Sequence, residues 1–254
     1  MTNKLRYFIG NWKMFGDFSS IKIIHQIHRF CLKYKNINKK NKIILCVPNT
    51  LINYFSKKVK SKFVVIGAQN CHYKNFYGPF TGSVSASMLK TAGAKYVILG
   101  HSENRREGDT NQLIKEKIKF ALNNGLYVIF CVGETLKQKN QGKTFSVLNN
   151  QILSSINKSF NLKKILIAYE PIWSIGTGKI SKNYDLIKIF KFIKENFKKK
   201  FRTRKFPIVL YGGSVNEKNI RNFSTISDID GFLIGGASQS SKKFIDIIKN
   251  YYKK

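Results

Sequence analysis

Short, continuous apolar runs alternate along the whole chain with longer stretches in which apolar residues return every three or four positions. The short runs are Tyr7–Gly10, Ile43–Val47, Phe63–Ala68, Tyr96–Leu99, Tyr127–Val132, Ile165–Tyr169, Ile208–Tyr211 and Phe232–Ile234. They are rich in Ile, Val, Leu and Tyr and show no polar–apolar alternation, which predicts strands buried on both faces, as in a parallel sheet covered by helices. Ile21, Ile24, Ile27, His28 and Cys31–Leu32 predict a helix. Leu113, Ile114, Ile118 and Leu122 predict another, with Gly125 as its stop. Tyr184–Phe197 and Phe244–Tyr251 repeat the pattern. Eight strand-plus-helix units without a Pro/Gly/Ser linker predict an α/β fold: a single closed (β/α)8 barrel domain over residues 1–254, in preference to an open sheet.

Such a barrel carries its function in the loops after the C-terminal ends of its strands, and the unusual residues fall there. Asn11 and Lys13 follow the first strand, His101 and Glu103 the fourth, and Glu170 closes the sixth. Gly-Gly pairs follow the seventh and eighth, in YGGSV (Tyr211–Val215) and IGGAS (Ile234–Ser238).

Composition narrows the class. An apolar share of 43% over 254 residues supports one large core. No run approaches the roughly 20 apolar residues of a membrane helix. The opening MTNKLRYFIGNWK lacks an apolar h-region and a small-residue cleavage site, so no secretory signal is expected. Cys31, Cys46, Cys71 and Cys131 form no CxxC pair, and Cys46 and Cys131 lie in apolar runs, which points to buried thiols in a reducing cytoplasm. His25 and His28, three apart on a lysine-rich helix, have a spacing that permits a metal, but none is assigned.

The charge balance is unusual: 46 Lys+Arg against 13 Asp+Glu, formally +33. A nucleic-acid or anionic-surface partner is one reading. The favoured one is compositional drift, because the lysines are dispersed and accompany abundant Asn, Ile, Phe and Tyr, which share A/T-rich codons. The densest run, KKKFRTRK (Lys198–Lys205), reads as a solvated connection. A broadly positive field still attracts a phosphorylated substrate, less so as salt rises.

Glu170 follows ILIAY and precedes Pro171, and a carboxylate there is costly without a partner or a task. Proton abstraction beside a carbonyl needs such a group, rigid and dry; a structural ion pair is the bland alternative. The following PIWSIGTGK fits a lid, with Pro171 and Trp173 as a stiff hinge and Gly176 and Gly178 as its tip. His101 opens HSENRRE, where the positive end of a helical turn would disfavour its cationic form and leave a neutral donor. The two Gly-Gly pairs, with the Ser214 hydroxyl, suit a phosphate cradle of backbone N–H groups.

Together GNWKM, QNC, FTG, GHSE, CVGET, AYEPIWSIGTGK, YGGSV and GFLIGGAS resemble the triosephosphate isomerase family, in order and over the full chain. The resemblance implies a TIM barrel that interconverts dihydroxyacetone phosphate and glyceraldehyde 3-phosphate in the cytoplasm, in glycolysis and gluconeogenesis, without metal or cofactor. It implies Glu170 as the base and a neutral His101 polarising the carbonyl, a pairing for which this enzyme family is the established example. Lys13 would stabilise negative charge, oriented by Asn11 and Glu103. Gly176, Ser214, Gly235 and Gly236 would bind the phosphate, and Tyr211 would help hold the lid. It also implies a homodimer through the loop carrying QNC and FTG.

Two departures fall at that contact. Where the family commonly has an acid after FTG and an arginine directly after GHSE, this chain has Ser83 and Asn104. Both halves of one cross-interface ion pair are therefore replaced together, which strands no charge. Three rivals remain: a barrel for a larger phosphosugar or indole phosphate, a nucleic-acid-binding protein, and a decayed barrel kept for binding. No membrane and no specific nucleic acid is expected as a partner.

Overall fold

The computed structural model of the chain describes residues 5–35, 39–74, 77–177 and 181–253. Eight strands run parallel: β1 (Arg6–Asn11), β2 (Asn41–Cys46), β3 (Val64–Ala68), β4 (Tyr96–Leu99), β5 (Tyr127–Val132), β6 (Ile165–Tyr169), β7 (Ile208–Tyr211) and β8 (Gly231–Ile234). Each pairs with the next, and β8 returns to β1 with Tyr7 opposite Gly231 and Gly10 opposite Ile234, closing the barrel. The eight apolar runs therefore fall where they were expected.

The missing alternation has a structural cause: both faces of every strand are buried, but in different compartments. Ile9, Ile44, Ile98, Ile129, Leu166, Leu210 and Leu233 fill the barrel interior with Cys46, Cys131 and Ala168. Phe8, Leu45, Val97, Phe130 and Ile167 face outward under the helices. Each such side chain contributes about 1.5–3 kcal/mol by leaving water.

The outer layer comprises α1 (Ile21–Lys33), α2 (Asn49–Lys58), α3 (Ala86–Thr91), α4 (Ser102–Arg106), α5 (Asn111–Asn123), α6 (Leu136–Asn140), α7 (Thr144–Ser155), α8 (Asn183–Phe201) and α9 (Ser241–Tyr252). α5 begins at Thr110, whose Oγ1 accepts the Leu113 N–H at 3.2 Å. It ends as predicted at Gly125, with φ +77° and the bonds Gly125 N–H to Leu122 O and Leu126 N–H to Ala121 O.

Two local expectations change. Between β7 and β8 the described residues form only a 3-10 turn, Ile220–Phe223, so the seventh unit lacks a full helix. Asn216 and Asn219 accept each other's backbone N–H at 2.9–3.0 Å, and such side-chain bonds compete with helix formation. The basic run 198–205 is also helical at its start. α8 continues to Phe201 because Phe197 and Phe201 are buried, and Arg202 ends it in the left-handed region at φ +53°. Lysines in that last turn suit the negative end of the helix dipole.

Candidate active site

Glu170 extends the β5–β6 ladder by one residue, its N–H donating to Val132 O at 2.8 Å. That approach requires Gly133, since a Cβ there would stand 1.8 Å from the Glu170 carbonyl oxygen. The Glu170 side chain is buried, with Oε1 3.6 Å from Nε2 of His101. Burial raises its pKa, and His101, a hydrogen bond with Cys131, and Lys13 only partly offset the rise.

His101 caps α4, its Nδ1 accepting the Glu103 N–H at 3.2 Å. A ring nitrogen that accepts carries no proton, so this bond assigns the neutral tautomer with hydrogen on Nε2, the nitrogen facing Glu170. The ring is buried.

Lys13 holds φ +57°, a conformation that costs a non-glycine residue of order 1–2 kcal/mol. Three side chains fix it there. Asn11 Oδ1 accepts the Lys13 N–H at 3.2 Å, and Gln69 Nε2 donates to the carbonyls of Lys13 and Cys46, both at 3.0 Å. Gln239 Nε2 donates to Trp12 O at 2.8 Å. The Lys13 ammonium meets Glu103 Oε1 at 2.5 Å. Burial alone would raise the Glu103 pKa; the Lys13 bond, with His101 and Arg106, outweighs it and leaves it below the usual carboxylate value. Gln69 and Gln239 were not foreseen from sequence.

These groups meet at one cavity of about 420 Å³ lined by Asn11, Lys13, His101, Glu170, Gly176, Ser214, Gly235 and Gly236. Glu103 lies instead on an adjoining cavity of about 300 Å³ shared by Lys13, Met14, Gln69 and Asn104. Lys218 and Lys243 also line the first cavity, two cations that no motif had marked. The two Gly-Gly pairs differ in what they do. A Cβ on Gly212 would lie 2.6 Å from Glu170 Cγ, and one on Gly213 would lie 2.4 Å from the Tyr211 hydroxyl oxygen. Both are there for clearance. A Cβ on Gly235 would touch only Lys13 Cε at 3.8 Å, and one on Gly236 would touch nothing, so this pair lines an open space. Gly236 also begins a 3-10 turn, Gly236–Gln239, whose first N–H groups lack intrahelical partners.

The segment after β6, expected to form a lid, is tied down at its start by Glu134, another residue that sequence reasoning missed. Its Oε1 accepts from Trp173 Nε1 at 3.0 Å and from the Tyr169 hydroxyl at 3.2 Å. The Lys139 ammonium stands 3.7 Å from the centre of the Trp173 ring. Burial raises the Tyr211 phenol, with neighbouring Ser174 and Ser181 opposing the shift. Gly176 is exposed at φ +71°. Gly178 lies outside the described residues.

Among the described residues, no group of three or more His, Cys, Asp or Glu could hold a metal, and no helix is long and apolar enough to cross a membrane. His28 Nδ1 pairs with Ser61 Oγ at 2.5 Å. Near the two departures, Ser83 is exposed and Asn104 half-buried. Lys117 there binds both oxygens of Asp109 at 2.7 and 2.8 Å and Asn70 Oδ1 at 3.0 Å.

Comparison with known proteins gives the same picture. The profile of the family described as triosephosphate isomerase matches residues 6–251. The triosephosphate isomerase of Zygosaccharomyces bailii is 44% identical over 246 residues, covering 95% of this chain and 96% of its own. That of Bartonella henselae is 35% identical over 256 residues, covering both chains fully. The crystal structure of triosephosphate isomerase from Bartonella henselae superposes with a TM-score of 0.87 at 33% identity, over 98% of this chain and 99% of that one. By sequence and by barrel, the chain belongs to the triosephosphate isomerase family.

Proposed function

We propose that the chain, as one domain, interconverts dihydroxyacetone phosphate and glyceraldehyde 3-phosphate, with Glu170 carrying the proton between the two carbons. The observation that carries this reading is the buried Glu170 carboxylate, 3.6 Å from the Nε2 of a histidine whose other nitrogen is already engaged. A base with a raised pKa holds a proton better once it has taken one. Glu170 removes a proton from the carbon beside the carbonyl. The neutral His101 donates from Nε2 to the carbonyl oxygen, and the Lys13 ammonium stabilises the negative charge that develops there. Glu170 then returns the proton to the neighbouring carbon, while His101 gives its Nε2 proton to the former carbonyl oxygen and takes up the proton of the other oxygen's hydroxyl, so that carbonyl and hydroxyl exchange places.

The phosphate sits at the other side of the cavity, against the N–H groups of Gly176, Ser214, Gly235 and Gly236, with Lys218 and Lys243 adding positive charge. The lid starting at Pro171 excludes water, which would otherwise let the enediolate expel phosphate. Asn11 acts through Lys13 by holding its strained backbone.

The working form is a cytoplasmic homodimer in which the loop carrying Asn70, Cys71 and Phe80–Gly82 covers the partner's second cavity. Met14, at that cavity, is 101% exposed, an apolar side chain that such a contact would bury. The reaction is tested by a coupled assay with glyceraldehyde 3-phosphate. Wild type turns over, and Glu170→Asp, which withdraws the carboxylate by one methylene, loses orders of magnitude in kcat while substrate still binds. Equal turnover in the variant would remove Glu170 from the mechanism.

A further inference from the structure

At the opposite end of the barrel from the active site, the segments entering β6 and β7 enclose a cavity of about 500 Å³. That volume lies in the range of small-molecule sites, roughly 300–1,000 Å³. Its walls are apolar: Phe160, Leu162 and Pro207 at the sides, and Phe197, only 2% exposed, beneath. Phe206 stands at the mouth, 54% exposed, with the Lys198 ammonium 4.8 Å from its ring centre. The exposed Lys163, Arg204 and Lys205 also line the cavity, and no acidic residue does. An apolar hollow with a purely cationic rim has a defined complement. An uncharged hydrocarbon would leave the cations unused, and a hydrophilic anion would leave the aromatic walls wet.

We propose that this cavity binds a small amphipathic anion. Its aromatic or acyl body would rest on Phe160, Leu162 and Phe197, with a carboxylate, sulfonate or phosphate monoester head held by Lys163, Arg204 and Lys205. The basic run at 198–205 thereby gains a local role within an otherwise dispersed charge. A single-stranded nucleic acid fits less well, since it needs successive free rings along a groove, and here only Phe206 stands clear, with Lys198 beside it. A bilayer surface fits less well too, because the apolar surface is concave. The site is independent of the isomerase chemistry.

The probe is 1-anilinonaphthalene-8-sulfonate, followed by its emission on titration of the full chain. The expected result is one saturable site per chain that weakens as salt rises. R204E/K205E should lose about tenfold in affinity or more while retaining isomerase turnover. F206S, a change at an exposed position, should weaken binding likewise. K57E/K58E makes the same change in charge at the end of α2 and should leave binding unchanged. Dodecanoate should displace the probe and dodecanol should not. The proposal is overturned if R204E/K205E and F206S bind as wild type does, or if K57E/K58E weakens binding equally. It is also overturned if glyceraldehyde 3-phosphate displaces the probe, or if single-stranded RNA or phosphatidylglycerol vesicles displace it better than dodecanoate.

Discussion

Gly212 on β7's exit and Glu170 on β6's exit are fitted to one another: a Cβ at 212 would lie 2.6 Å from Glu170 Cγ and 3.1 Å from its Oε1. Residue 212 has no side chain because the carboxylate occupies that space. Alanine at 212 should push Glu170 out of line without touching the phosphate end of the cavity. A misplacement of about 1 Å costs on the order of a hundredfold in rate. Steady-state kinetics of Gly212→Ala should therefore show kcat reduced by about that factor with KM little changed, and a near-normal kcat would refute the fit. Gly236→Ala, where a Cβ meets nothing, is the comparison. Its fold should be intact and any effect should fall on KM.

The burial of Glu170 sets a pH dependence whose sign is fixed. Its pKa in the fold lies above the ordinary carboxylate value, chiefly through burial. Between the two values the native state holds more protons than the unfolded one. The stabilisation is complete below the unfolded pKa and is lost as pH rises through the folded one. Glu170→Gln is neutral throughout. It should abolish turnover yet raise the urea midpoint at neutral pH, by a margin that vanishes towards about pH 4. A variant less stable than wild type at neutral pH would show that the ionised carboxylate is not a burden to the fold.

What the sequence revealed follows from how local each signal is. The strands were legible because burial on both faces writes continuous apolar runs such as Tyr127–Val132 into the chain. Glu170 was legible because a carboxylate closing such a run is anomalous by itself. Gln69 and Gln239 were not, because each acts on a backbone carbonyl of the β1 exit, from β3 and β8 respectively, and a lone glutamine announces nothing. Glu134 was hidden for the same reason: its partner Trp173 is 39 positions away. Gly212 was read as a source of N–H groups, and only the closed barrel reveals the side chain it makes room for.

Gln69 can be tested through the strain it holds. With its two donated bonds to Lys13 O and Cys46 O, it keeps Lys13 at φ +57°. Gln69→Met keeps the approximate length and removes both donors. Unpaired carbonyls should cost about 1–3 kcal/mol, read as a lower urea midpoint. Lys13 would also relax from its position over the cavity, so kcat/KM should fall by about tenfold or more. Gln69→Glu, which accepts but cannot donate, should be no better. Full activity in either variant would mean that Asn11 and Gln239 hold Lys13 unaided.

The proposed dimer turns on Met14, because the ion pair that the family resemblance leads one to expect across its interface is replaced by Ser83 and Asn104. Without that ion pair, the proposed association relies more on apolar burial. A fully exposed methionine beside the second cavity is the natural anchor, and burying it is worth about 1.5–3 kcal/mol per protomer. Met14→Glu reverses that gain and places a negative charge near Glu103 of the same chain. Sedimentation at micromolar protein should show wild type as dimer, with no dissociation as salt rises because the expected cross-interface ion pair is absent from the sequence, and Met14→Glu as monomer. Turnover of the monomer should fall as well, since Lys13 and Glu103 share that cavity and would lose their cover. Wild-type protein that sediments as a monomer with full turnover would refute the requirement for a partner. A dimer that dissociates in salt would instead mean that charges elsewhere, Lys117 with Asp109 among them, reach across the contact.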